Sequence, residues 1–303
     1  MEEPRREHAP TPPAWASRGA AWESAFPGLR SLQPAPGHSL VEAVAPAADT
    51  ADPAGLQDAT RLAYRRLLRR AADARLAPLR FWNYVPGITE PAGDAAHRYM
   101  VFNAGRAAGM AEAGFAGRRV AASAVGFPGD ADAPRLTVQM LAGPAPAEPA
   151  ENPRQVPAWR YSDRFGDVPP AFARAARLPA SAGFLPGALL LAGTASVVGE
   201  ESLHPGDLAA QAAETCTNLA VLLAAGAGRA LAPGAAGGEE DVHLARLRDL
   251  RVYVKRAADL PAVGRMLQAR CPAASVSLMH AEICRPELLL EAEGVSSERL
   301  AEA

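Results

Sequence analysis

Apolar residues recur at three- and four-residue spacing in four stretches of the chain, 59–76, 98–114, 207–226 and 258–271, and each predicts an amphipathic helix. Between them lie short aliphatic or β-branched runs bounded by Gly or Pro. These predict strands at LRFWNYV (79–85), RRVAASAVGF (118–127), RLTVQML (135–141), LRVYVKR (250–256), SVSLMHAEIC (275–284) and ELLLEAEGV (287–295). The order helix, strand, helix, strand, strand therefore occurs twice, which marks an internal repeat. Each copy predicts a sheet with helices on one face, an α+β class. Two unrelated α+β domains that share an element order would leave that class unchanged.

Outside the repeat the pattern fades. Residues 1–55 are dense in Ala, Pro and Gly with little periodicity and read as a disordered or loosely attached leader. GPAPAEPAENP (143–153) has the composition of an interdomain connection, which sets an N-terminal domain at 56–145 and a C-terminal domain at 146–303. APGAAGGEED (232–241) reads as a surface loop.

Composition narrows the function. With 303 residues, 49% of them hydrophobic, the chain is long enough for a sizeable core. Thirty-one basic against 33 acidic residues give a net charge of −2, so the basic footprint of a nucleic-acid binder is missing. The apolar stretch Phe184–Val198 is interrupted by Pro186, Gly187 and Gly193, and the N-terminus lacks the apolar core of a signal peptide, so neither membrane nor export is expected and the expected location is cytoplasmic. Cys216, Cys271 and Cys284 are odd in number and widely spaced, with no His in ligand register. That fits a reducing compartment, and no metal or cofactor is expected.

Superposing the last strands of the two copies sets Glu291 opposite Gln139. An amide cannot supply a catalytic proton, so an acid-base role survives only at Glu291. On this comparison alone Glu291 reads equally as a solvated residue on the open face of its strand.

Longer motifs add a resemblance. ICRPELLLEAEGV, with a Gly-Thr turn after the aliphatic strand of LLLAGTASVVG, resembles the YjgF/RidA (chorismate-mutase-like) fold. RFWNYVPGI (80–88), RYMVFNAGRA (98–107), ENPRQVPAWRYSDRFGDVPPAFARA (151–175), GTASVVGEESLHPGDLAAQAAETCTNL (193–219) and AEICRPELLLEAEG (281–294) narrow it to the chorismatases. The resemblance implies two RidA-like halves from a duplication, the first diverged and the second catalytic, with chorismate as substrate. Single-domain relatives of the fold form trimers, which implies a homotrimer here.

Chorismate carries an enolpyruvyl ether, a neighbouring hydroxyl and two carboxylates. Cleaving the ether requires a proton on the terminal methylene carbon, hence an acid that still holds its proton near neutral pH. Glu291 matches the family's catalytic glutamate, and a carboxyl sunk among Leu288, Leu289 and Leu290 would have a raised pKa. For the carboxylates, the resemblance points to Arg160, Tyr161 and Arg164 in WRYSDRF. If that segment is extended, Arg160 and Tyr161 face opposite ways. Gly193, Thr194 and Ala195 are expected to line the pocket, where glycine permits close backbone approach, and Lys255 is a further candidate for the second carboxylate.

Cys284 matches the cysteine of the 3-hydroxybenzoate-forming branch, where the substrate's own C4 hydroxyl displaces the side chain, and the resemblance favours that branch, with 4-hydroxybenzoate as a further product of bifunctional relatives. Ala195 points the other way, to the branch that hydrolyses chorismate to a diene diol. A RidA-like imine deaminase and a non-catalytic binder of aromatic acids stay open on fold alone. Trp82 and Tyr84 read as packing residues, and His204 and His280 have no triad partners.

Overall fold

The computed structural model of the chain describes residues 5–7, 12–17, 20–26, 28–93, 97–126, 135–232 and 238–296. Residues 233–237 of the expected surface loop, and residues 1–4 and 8–11 of the expected leader, lie outside the described residues.

The first half contains β1 (Arg5–Glu7), the short α1 (Ala14–Ser17), β2 (Glu23–Phe26), β3 (Leu29–Leu32), β4 (Ser39–Ala45), α2 (Pro53–Asp73), β5 (Ala77–Tyr84), α3 (Arg98–Glu112), β6 (Val120–Gly126) and β7 (Leu136–Gly143). Asp52 caps α2 by accepting the Gly55 N–H at 2.8 Å, and Pro53 follows at the first turn, where its missing N–H costs nothing. Gly105 and Gly109 let α3 lie close against α2, since a Cβ on Gly105 would fall 2.9 Å from the Thr60 Cβ. Leu56, Tyr64 and Phe102 of the two helices meet Phe81, Val138 and Met140 of the sheet. Each such burial stabilises by roughly 1.5–3 kcal/mol.

After β8 (Glu148–Ala150), β9 (Phe172–Ala173) and β10 (Ala175–Arg177), the second half runs through β11 (Leu189–Thr194), β12 (Val197–Val198), β13 (Glu201–Ser202), α4 (Leu208–Gly226), α5 (Glu239–Leu244), β14 (Leu247–Val254), α6 (Leu260–Arg270), β15 (Ser275–His280), β16 (Glu282–Ile283) and β17 (Leu290–Ser296). Its helical face repeats the plan, with Leu219, Leu223, Val263 and Leu267 on Leu250, Val252 and Leu290. Helix α4, capped by Asp207, is the one helix among the described residues long and apolar enough to cross a membrane; here most of it is core.

The sheet orders repeat as the sequence does. The first sheet runs β16-β6-β5-β7-β4-β3-β2 and the second β1-β15-β14-β17-β11-β10-β8. In each half two parallel strands, β5 with β6 and β14 with β15, adjoin an antiparallel one, β7 or β17. Both sheets turn their helix-free faces toward each other, and Leu40, Trp82, Tyr84, Leu141, Leu190, Tyr253 and Val295 form the core between them. The duplicated α+β architecture expected from the sequence is the one the chain adopts.

The leader needs correction. Residues 29–45 are not loosely attached: β4 pairs with β7 from Ser39↔Ala142 to Ala45↔Leu136, and β3 pairs with β4. Leu29, Leu32, Leu40, Val41 and Ala43 are buried. SLVEAVA carries a Leu and two β-branched Val, enough for a strand, but alanine supplies two of its five apolar positions and weakens the signal against the Pro-rich surroundings.

Four short elements tie the halves together. β8 and β10 extend the second sheet, β9 pairs with β6 of the first, and β16 crosses over to pair with β6 as well. The arm between β8 and β9 is clamped to α4, with Asn152 donating to the Asn218 carbonyl at 3.0 Å and Arg154 pairing with Glu214 at 2.7 Å. These crossings bring residues from both halves to one seam.

Candidate active site

At that seam lies a cavity of about 230 Å³. Its floor is Glu291, near the start of β17 between Tyr253 of β14 and the β11 strand, and only 5% exposed. Burial pushes the Glu291 carboxyl up to about 8, the negative charge of Glu293 adds to the rise, and Arg174, Arg80 and Arg285 oppose it. At neutral pH the group therefore keeps its proton while facing open space, as a general acid must.

Gly193 stands directly against this carboxyl. A Cβ there would fall 2.6 Å from the Glu291 Cδ and closer still to Oε1, so glycine makes the room for the carboxyl. Ala195 lines the cavity beside it. Thr194 does not: it is buried, and its hydroxyl donates to the Ala192 carbonyl at 3.1 Å. Strand alternation across Gly193–Ala195 is the reason, because neighbouring side chains take opposite faces and a bulge follows Leu191.

The Cys284 thiol reaches Glu291 Oε2 at 4.0 Å. Burial first, and the Glu291 charge second, push it up to about 12, so it is a neutral thiol rather than a nucleophilic thiolate.

Of the arginine and tyrosine candidates, Tyr161 lines the cavity and Arg164 sits at its exposed rim, paired with Glu201 at 2.5 Å. Arg160 is exposed and does not line the cavity. Residues 158–160 form a 3-10 turn that sends Arg160 outward while Tyr161 turns in. Lys255 does not line it either; its ammonium donates to the Pro286 carbonyl behind the wall.

The cationic groups of the cavity are instead Arg106, Arg174 and Arg285, none of which was singled out from the sequence. Arg106, on α3, is 2% exposed and donates to the Ala171 carbonyl at 2.7 Å. Arg174, between β9 and β10, donates to the Tyr161 hydroxyl and lies over the Phe172 ring at 5.0 Å. Arg285 stacks 4.3 Å over Phe165 and donates to the Glu200 carbonyl at 2.8 Å. The Nε groups of Arg106 and Arg174 are buried without a hydrogen-bond partner among the described residues. Buried donors of this kind are costly unless a ligand satisfies them. A sequence signal existed for Arg106, which sits on the same helical stripe as buried Phe102 and Gly109.

Residues 36–142 match the family described as "Chorismatase FkbO/Hyg5-like, N-terminal". A 3-hydroxybenzoate synthase of Streptomyces hygroscopicus is 33% identical over 242 residues, 78% of this chain and 69% of that protein. A chorismatase of Streptomyces rapamycinicus is 36% identical over 220 residues, 71% of this chain and 63% of that protein. This chain thus spans roughly two thirds of the length of these relatives. A crystal structure of a chorismatase superposes with a TM-score of 0.75 at 28% identity, covering 90% of this chain and 78% of that one.

Proposed function

The chain belongs to the chorismatase family, and on that premise we propose that its cavity binds chorismate and splits it into pyruvate and 3-hydroxybenzoate. The observation that carries this reading is the buried Glu291, its carboxyl pushed up to about 8, facing a cavity lined by Arg106, Arg174 and Arg285. Glu291 delivers its proton to the enolpyruvyl methylene and makes the side chain an oxocarbenium ion. The C3–O bond then breaks, pyruvate leaves, and the substrate's own C4 oxygen closes on C3 to give an arene oxide. Opening of that oxide with loss of the ring proton restores aromaticity, and one proton returns to Glu291. No water is consumed. Atoms balance between one chorismate and the two products.

Arg106, Arg174 and Arg285 hold the two carboxylates, with forks pre-set by their stacking and backbone bonds. Cys284, neutral and half-buried, occupies space beside the acid. It narrows the room for an attacking water and so favours the intramolecular oxygen.

Pyruvate release coupled to lactate dehydrogenase tests the acid. Glu291 works in its protonated form, so activity is present below pH 8 and falls as pH rises through about 8. A rate that climbs through that interval would show a carboxylate base in place of an acid.

The arginine assignment has its own test. Arg174→Ala removes a buried fork and is expected to cost on the order of 2–5 kcal/mol in kcat/KM, whereas Arg160→Ala, on the exposed side of its turn, stays within twofold of wild type. Steady-state kinetics of the two variants decide it, and a large effect at Arg160 would move the anchor back to the turn.

A further inference from the structure

Glu293 lies two residues beyond Glu291 on β17, is 1% exposed, and belongs to no step described so far. Its partners come almost entirely from the first half. Arg80 donates to Oε2 at 2.7 Å and so does the Ser123 hydroxyl, which itself accepts from Arg80 at 2.6 Å. Trp82 Nε1 and the Tyr253 hydroxyl donate to Oε1, each at 2.9 Å. Four donors converge on the two oxygens. Arg80 forms an ion pair with this carboxylate, and the three further donors complete its cage.

The cage is also aimed. Residues two apart on a strand share a face, roughly 7 Å apart along it. Ser123, one of the donors, is at the same time part of the cavity wall.

We propose that Glu293 is a positioning residue for the catalytic acid: a buried anion, anchored by the first half, whose field keeps the proton on Glu291. The inference rests on Glu291 being the acid. The groups facing Glu291 are Glu293 on its own strand, Tyr253 on β14, Arg80 on β5, Tyr99 on α3, Arg174 between β9 and β10, and Cys284, Arg285 and Glu287 on the segment before β17. Three are cations that pull the proton off. Cys284 and the tyrosines are neutral, and Glu287 is exposed at the mouth. Glu293 is the buried anion of the set and offsets the arginines that bind substrate. The arrangement reconciles two opposed demands, a cationic pocket for a dianion and an acid that is not ionised by it. It also explains why Arg80, Trp82 and Tyr253 are built into the seam.

The test is the pH profile of pyruvate release by the full chain, wild type against Glu293→Gln, with thermal unfolding measured alongside. Coulomb's law for charges about 7 Å apart in a protein interior shifts the alkaline limb of the variant down by on the order of one to two pH units. The variant then loses about tenfold or more at pH 8 and regains most activity near pH 6. Glu293→Asp, which keeps the charge, keeps the limb near its wild-type place. A uniform loss at every pH, with the limb unmoved, reduces Glu293 to a structural residue and overturns the proposal. If wild type shows no limb near pH 8, it is the acid assignment itself that fails, whatever Glu293 does. Where Glu293→Gln does not fold, infrared spectra of wild type and Glu291→Gln replace it. The protonated-carboxyl band assigned to the site must vanish in Glu291→Gln, and its persistence makes Glu293 the neutral group and ends the proposal.

Discussion

Glu291→Gln is expected to lower turnover on chorismate by about 10³-fold, within the range that general acids contribute, and to leave the fold intact. Protonation of carbon is slow and leaves the enzyme no substitute donor, since Cys284, the nearest neutral group, holds its proton too tightly to give it up. The fold survives because the amide is nearly isosteric with the protonated carboxyl and, like it, brings no charge into the buried site. Substrate binding persists, because the arginines are untouched. Turnover and thermal unfolding together provide the check. Near-wild-type turnover in a folded variant would reduce Glu291 to a packing residue.

The second large effect comes from a single methyl group. Gly193→Ala places a Cβ on the Glu291 carboxyl, 2.6 Å from Cδ, although the backbone there is not in the left-handed region and tolerates alanine. The carboxyl, at the far end of a flexible chain, must move aside. A displacement of about 1 Å in a reacting group costs on the order of 10²-fold, whereas overpacking of this kind costs about 1–3 kcal/mol of stability. The double variant with Glu291→Gln separates the two effects. If the methyl acts through the acid, Gly193→Ala adds little further loss of turnover in that background. A full additional loss would show that Gly193 serves the substrate instead of the carboxyl.

Much of the fold was legible because both halves carry the same period changes. Apolar spacing marked the helices, and β5, β7, β14 and β17 read as strands from aliphatic runs with clear borders. β3 and β4 were not read, because LRSL is short and SLVEAVA carries two alanines, and both lie among Pro and Gly and resemble coil until β4 pairs with β7 and β3 with β4. Glu291 was legible as a candidate acid from one asymmetry. Gln139 on β7 and Glu291 on β17 occupy matching positions, opposite Trp82 and Tyr253, and the amide is spent on Glu42, to which it donates at 2.7 Å.

The cations were read less well. Arg160, Arg164 and Arg174 lie in one motif, and sequence alone does not say which of them a 3-10 turn or a short strand buries. Arg174 sits where the chain crosses between sheets, a position fixed by the pairing of β9 with β6, far away in sequence. Lys255 ended a strand as expected, but a carbonyl of the neighbouring loop takes its ammonium. Glu293 went unremarked since its donors, Arg80, Trp82 and Ser123, come from the other half, and only the face-to-face packing of the sheets unites them.

The most direct measurement is chromatography of the products formed from chorismate, with pyruvate counted in the same mixture. Equal amounts of pyruvate and 3-hydroxybenzoate are predicted. A non-aromatic dihydroxycyclohexadiene carboxylate as the main product would contradict attack by the C4 oxygen, and chorismate left unchanged would contradict the assignment of the site altogether.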